Sequence, residues 1–217
     1  MTDHTVRAFD RELELLGRRI AEMGGIAEKM LFESIEALVR LNVDEAKSII
    51  ATDLRLDQLQ REVEEEAVRI IARRQPVSVD LREIVGAMRI SGDLERVGDL
   101  AKNIAKRTVA LAIDQRLPRA MIGLRHMGEL AAMQLKDVLD AYGQRDVDRA
   151  DSVWRRDMEI DALEDSVFRD LLTFMMEDPR NISSCTHLLF CSKNVERAGD
   201  HATNIAETVH YIVTGET

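Results

Sequence analysis

The residues best placed to do chemistry are pairs of carboxylates spaced four apart. Asp53 and Asp57 form one pair, Glu95 and Asp99 a second, Asp157 and Asp161 a third, Glu196 and Asp200 a fourth. Residues four apart on a helix lie on one face, a turn apart, so each pair would set two carboxylates side by side. Such like charges repel, at a cost of roughly a few tenths of a kcal/mol on an exposed helix. Turned inward without compensation, a charge costs on the order of several kcal/mol. Four such pairs therefore ask for a compensating cation. Oxygen-rich clusters between helices suit hard ions, with Fe, Mg or Mn foremost and Zn also able to take carboxylate. The plain alternative is that these acids are solvated and pair with Arg55, Arg96 or Arg197.

Other candidates are thinner. Asn103 and Asn204 recur four residues after Asp99 and Asp200, as ligands or as hydrogen-bonding partners of ligands. Glu207 and His210 form a single Glu-x-x-His, the type used by ferritin-like di-iron bundles, which need it twice. His201 reads as a surface or helix–helix contact and Trp154 as packing. No glycine-rich phosphate loop, GxSxG or HExxH is present, so no catalytic constellation is visible.

Helices must position the acids. Leu56, Leu59, Val63, Ala67 and Ile70 follow the spacing of one helix face, with charges filling the rest. Pro76, Pro118 and Pro179 fall between periodic segments, and polar breaks occur near Asn42 and Gly143. The pattern predicts six helices, over 7–41, 44–74, 80–113, 118–142, 146–177 and 182–213. Residues 94–106 (LERVGDLAKNIAK) and 195–207 (VERAGDHATNIAE) agree at eight of thirteen positions, at an offset of 101. Upstream the offset is 104, so that Leu56, Leu59 and Val63 become Ile160, Leu163 and Val167. The change of offset falls near Pro76 and Pro179, where loops tolerate length changes. The expected fold is all-α: two tandem, pseudo-symmetric three-helix bundles, over residues 1–115 and 116–217.

Within each repeat the second and third helices would run antiparallel across a short loop. Asp57 lies 17 residues before Arg74 and Glu95 lies 15 after Asp80, so the two stand near one height. Asp161 and Glu196 match in the same way. Glu95 and Asp99 continue the apolar stripe of Leu81, Ile84 and Met88, and Glu196 and Asp200 continue that of Ile182, Cys185 and Leu189. Asp53 and Asp57 fall at the flank of their stripe. Gly98 and Gly199 sit between the paired acids and would let a neighbouring helix approach.

Composition narrows the remaining classes. The chain has 217 residues, a formal charge of −10, 45% apolar and only 4% aromatic residues. That balance excludes wholesale disorder, disfavours a β-sandwich or barrel, and argues against a nucleic-acid binder. No apolar run approaches a membrane span, and the polar start Met1-Thr2-Asp3-His4 carries no visible signal peptide. Cys185 and Cys191 read as buried free thiols of a reducing compartment.

The two stretches Leu94-Glu95-Arg96-Val97-Gly98-Asp99 and Val195-Glu196-Arg197-Ala198-Gly199-Asp200, set in a duplicated three-helix unit, resemble the PhoU family over essentially the whole chain. The resemblance implies a cytoplasmic, non-enzymatic negative regulator of the phosphate-starvation response. It implies as partners the ATPase subunit of a phosphate transporter and a sensor histidine kinase, with membrane contact only through them. It also implies a homodimer, and metal clusters held by the (E/D)xxxD acids. Two other classes stay open: a metal-storage or di-iron bundle, and a plain helical dimerisation module with solvated acids.

Overall fold

The computed structural model describes residues 2–112 and 121–216. Six helices follow one another: α1 (Thr2–Arg40), α2 (Val43–Arg74), α3 (Ser78–Leu111), α4 (Met121–Gln144), α5 (Val147–Glu177) and α6 (Ile182–Thr214). A single 3₁₀ turn, Pro179–Asn181, leads into α6. Helix α1 starts earlier than its apolar periodicity predicts. The expected boundary at 115/116, the break at Pro118 and the first residues of the fourth predicted helix lie outside the described residues.

The duplication extends to the turns. Leu41 and Arg145, 104 apart, both take a left-handed backbone conformation. The N–H groups of Asn42 and Asp146 then reach back to the carbonyls of Ala37 and Ala141 at 2.9 and 3.0 Å. Each of these two side chains caps the following helix, Asn42 accepting from the Glu45 N–H and Asp146 from the Arg149 N–H. A side-chain oxygen here satisfies an amide that the helix itself leaves unpaired. Asn42→Ala is expected to cost about 1 kcal/mol, lowering the melting temperature by about 2–4 °C in a thermal unfolding scan.

In each repeat three helices pack mutually, α1–α2–α3 and α4–α5–α6. The repeats join through α3 against α6 and α1 against α4, so α2 and α5 are outer helices and one apolar core runs through both halves. The α1–α4 seam is reciprocal. Leu139 of α4 fills the space over Gly24 of α1, and Ile35 of α1 fills the space over Gly128 of α4. Residues 24 and 128, like 35 and 139, are repeat equivalents, so each repeat offers the other the same knob and the same hole. Across α3–α6, Asp93 meets His201 at 2.9 Å, and the Arg107 guanidinium lies 4.0 Å from the Phe190 ring centroid. His201 is thus a helix–helix contact, as expected.

Arg74 at the end of α2 makes a two-pronged pair with Glu12 of α1, at 2.8 and 2.9 Å. The Arg74 hydrogen bond holds the Glu12 carboxyl below its ordinary value, against the opposing effect of burial. A carboxyl lowered by folding contributes stability that is present above its unfolded pKa and lost as pH falls through the folded one. Glu12→Gln should therefore shrink the stability difference between neutral and acidic buffer in melts run from pH 7 to pH 3.

Cys185 and Cys191 are buried free thiols, as the sequence suggested. Burial pushes the Cys191 thiol up to about 12. Trp154, expected to pack, is instead 59% exposed. It stands on the outer helix α5 and lines a cleft with Arg89, Ala206 and Tyr211.

Candidate metal centres

The α2–α3 pairing brings the first four acids together. Gly98 allows this closeness: a Cβ there would overlap the Leu56 side chain of α2. Asp53 is the most enclosed of the four at 4% exposure, although the helical wheel puts it at the flank of its stripe. Asp57, Glu95 and Asp99 are half-buried. Burial and the nearby charges of Asp99, Asp57 and Asp53 raise the Glu95 carboxyl, while Arg96 opposes them.

A cation is already present in this cluster. The Lys102 ammonium donates to Asp53 Oδ2 at 2.5 Å and to Asp99 Oδ1 at 2.6 Å. Burial works against that charge, but the two carboxylates prevail and hold the ammonium well above its ordinary value. Arg96, largely exposed, reaches Glu95 at 3.6 Å and Asp99 at 3.8 Å. The plain alternative of acid–arginine pairing is therefore partly realised here, whereas Arg55 pairs with Glu22 instead. Sequence reasoning missed Lys102. Its signal was the replacement of lysine by Thr203 within the thirteen-residue match.

The second cluster has the same frame and different contents. Asp157 and Glu196 are half-buried, and Asp161 and Asp200 are exposed. Burial, then Asp161 and Asp200, raise the Asp157 carboxyl, while a hydrogen bond from the Thr203 side chain opposes them. Glu164 joins the group, raised by burial against the pull of Lys193. Lys193, a mostly exposed side chain, binds Glu196 Oε1 at 2.6 Å from the rim. Among the described residues, no Lys or Arg pairs with Asp157, Asp161 or Asp200 within 4.0 Å.

Two buried oxygens at this level lack a hydrogen-bond partner, Gln134 Oε1 and Glu196 Oε2. Gln134 is 2% exposed. A Cβ built on Gly199 would sit 3.3 Å from Asp157 Oδ1, 3.4 Å from Gln134 Oε1 and 3.1 Å from Ile160 Cδ1. Gly199 thus opens a cradle faced by two oxygens. The equivalent space over Gly98 is faced by Leu56 and Met30, all carbon and sulfur side chains. Gln134 is the repeat equivalent of Met30, another residue the sequence reading passed over.

Among the described residues, no three Asp, Glu, His or Cys side chains converge tightly enough to hold an ion as they stand. The donor chemistry still separates the clusters. The second offers oxygens, two of them buried and unpartnered, the donor type that hard divalent ions take. The first already holds an internal ammonium between Asp53 and Asp99, which takes the place a metal ion would need there.

The other candidates lie apart. Asn103 is exposed, and Asn204 donates to Asp93 at 3.4 Å. Glu207 is exposed, and the His210 ring meets the Thr214 hydroxyl at 3.2 Å. A cleft of about 480 Å³ near the α1–α4 seam, lined by Gly17, Ile20, Leu139, Tyr142 and Arg145, includes none of the eight acids.

Comparison with known proteins agrees with this duplicated frame. The PhoU domain family model matches twice, over residues 20–108 and 124–209, one match to each three-helix repeat. The chain is 56% identical to the phosphate-specific transport system accessory protein PhoU homolog of Rhizobium meliloti, over 98% of this chain and 90% of that protein. It is 50% identical to the homolog of the same description from Caulobacter vibrioides, over 100% of this chain and 94% of that one. Among solved structures, PhoU from Pseudomonas aeruginosa superposes with a TM-score of 0.93 at 38% identity, covering 96% of this chain and all of that one. The phosphate transport system regulatory protein PhoU from Streptococcus pneumoniae gives 0.88 at 29% identity, covering 96% and 98%. With two matches that coincide with the two repeats, and likeness that runs from end to end, the chain belongs to the PhoU family.

Proposed function

We propose that this protein is an accessory regulator of phosphate transport that keeps the phosphate-starvation response silent when phosphate is plentiful. It is read as a cytoplasmic, non-enzymatic adaptor between the ATPase subunit of a phosphate transporter and a sensor histidine kinase. It works as a homodimer and meets the membrane only through those partners. Divalent metal, of the Fe, Mg, Mn or Zn kind, binds at its carboxylates and stiffens the bundle that the partners contact.

The observation that carries this reading is full-length likeness, in both repeats, to proteins described as phosphate-specific transport system accessory proteins. Two features of the chain are compatible with it. No helix among the described residues is long and apolar enough to cross a membrane. Helix α5, packed only within its own bundle, leaves Trp154, Met158, Phe168, Leu172 and Met176 exposed. At 100° per residue these five fall within about 80° of arc, in two apolar patches separated by the exposed Asp161 and Asp165. Contiguous exposed apolar surface marks sites of protein contact.

The test is binding of the purified chain to the transporter ATPase subunit and to the cytoplasmic part of the kinase, each immobilised. The expected result is saturable binding to both, weakened at least tenfold by Met158→Asp with Met176→Asp while the melting temperature is unchanged. A folded chain that binds neither protein would overturn the adaptor reading.

A further inference from the structure

A cleft of about 370 Å³ opens where the start of α5 meets the end of α6, with α3 as its third wall. Trp154 and Tyr211 give it two aromatic sides, and Asp151, Glu207 and Glu216 give it three carboxylates. Arg89 of α3 lines it as well, its guanidinium 4.9 Å from the Tyr211 ring centroid. Among the described residues, none of these four charged side chains enters an ion pair within 4.0 Å. Tyr211 thus already carries a cation, whereas none of the described cations lies over the Trp154 ring.

The fold alone does not impose this chemistry. The repeat equivalents of Asp151, Trp154, Glu207 and Tyr211 are Lys47, Ile50, Lys106 and Ala110. The first repeat therefore builds the same helix junction with two lysines and two aliphatic side chains. In the second, both lysines have become acids and both aliphatic residues aromatic. Core packing does not ask for these changes, because Trp154 and Glu207 are exposed and Asp151 and Tyr211 half-buried. All four changes serve one ligand chemistry. An aromatic face attracts a cation held over it, tryptophan most strongly, and arginine is the commonest protein cation in that role. A carboxylate meets a guanidinium through two parallel hydrogen bonds. The three carboxylates outnumber Arg89, and would still prevail if His210, which also lines the cleft, were charged. An anionic ligand would therefore meet like charge.

We propose that this cleft is the docking site for an arginine side chain of a partner protein, with the guanidinium stacked on Trp154 and paired with Asp151 and Glu207. Met158 lies one turn along α5 from Trp154 and is 74% exposed. It continues the surface with apolar area that a protein would cover and a free small cation would not. The inference rests on the adaptor reading for the nature of the occupant, and it names the chemistry that a partner presents to α5 and α6.

Trp154 is the only tryptophan of the chain, so its fluorescence reports on this cleft alone. The purified full-length chain is titrated with an amidated peptide of alternating glycine and arginine. The same peptide with citrulline keeps the shape of arginine and loses its charge. A saturable change in emission is expected with the arginine peptide, and binding about tenfold weaker with citrulline. Asp151→Asn with Glu207→Gln should weaken the arginine peptide about five- to tenfold, the effect of losing two partly exposed pairs, with an unchanged circular dichroism spectrum. Collisional quenching reads the charge around the ring on the wild type, without any substitution. Relative to N-acetyltryptophanamide, the ratio of caesium to iodide quenching should rise. A fall in that ratio, or saturable binding of a glutamate peptide instead, would overturn the proposal in favour of an anion site organised by Arg89. No response to the arginine peptide, or an equal response to citrulline, would also overturn it. These failures leave the adaptor reading standing, since that is tested on the ATPase subunit and the kinase themselves. A chain that takes the arginine peptide here but binds neither protein would overturn the adaptor reading and keep the site.

Discussion

Lys102→Met is expected to destabilise the metal-free protein by about 3 kcal/mol, lowering its melting temperature in chelator by on the order of 10 °C. Asp53 is almost fully enclosed, with 6% of its side chain exposed, and Lys102 is exposed by 20%. Removing one partner of a buried pair leaves the other charged and uncompensated, which costs about 3–5 kcal/mol. Water reaches the ammonium from one side, so the lower end of that range applies. Methionine keeps most of the aliphatic stem, so the loss reports charge rather than packing. The double variant Asp53→Asn with Lys102→Met should recover most of the loss, because the stranded carboxylate is then gone. Additive losses in that double-mutant cycle would show that the two charges do not stabilise each other.

Gly128→Val is expected to cost about 3 kcal/mol by opening the seam between the repeats. A Cβ at this position would meet Ile35 Cγ1 at 2.5 Å, Cγ2 at 2.9 Å and Cβ at 3.1 Å. Those three atoms surround the branch point of a stiff β-branched side chain, so no single rotamer change clears them. Gly24→Val should cost less. There the contacts are the two terminal methyl groups of Leu139, at 2.7 and 2.8 Å, which can swing aside. Gly25 next to it has nothing within 4 Å, so Gly25→Ala should gain up to about 1 kcal/mol from helix propensity alone. Thermal unfolding of the three variants gives the order. A Gly128→Val protein as stable as the wild type would mean that the seam is not close-packed.

Much of this architecture was legible in the sequence. The described helices follow from apolar periodicity, from Pro76 and Pro179, and from the polar breaks near Asn42 and Gly143. The duplication follows from a thirteen-residue match, and the meeting of Asp57 with Glu95 from simple counting along antiparallel helices. Gly98 and Gly199 admit Leu56 and Ile160, as a missing side chain between paired acids suggested. What failed has a common cause. A helical wheel ranks a residue against its own helix and says nothing of which neighbour covers its flank. Asp53, at the edge of its stripe, is therefore the most buried acid of the first cluster, because α3 lies over it. Lys102 lies three residues beyond Asp99 and reads as an ordinary surface cation until the fold aims it at Asp53. Gln134 falls within an apolar face and stands out only beside its equivalent, Met30. Trp154 shows the converse: its hydrophobicity does not bury it, because it lies off the α5 face that carries Ile160, Val167 and Leu171.

Eight of the forty acids belong to the two clusters, and without them the charge of −10 falls to a nearly balanced remainder. Lys102 and Arg96 meet part of that concentrated charge in the first cluster, and Lys193 meets Glu196 in the second. The outer surface is then left free to engage other proteins.

The central claim is that this PhoU-family chain silences the phosphate-starvation response. It is tested most directly by deleting its gene and measuring expression of phosphate-scavenging functions in phosphate-rich medium. The account predicts strong derepression, reversed by restoring the wild-type gene. Expression that stays silent in the deletion strain would contradict it.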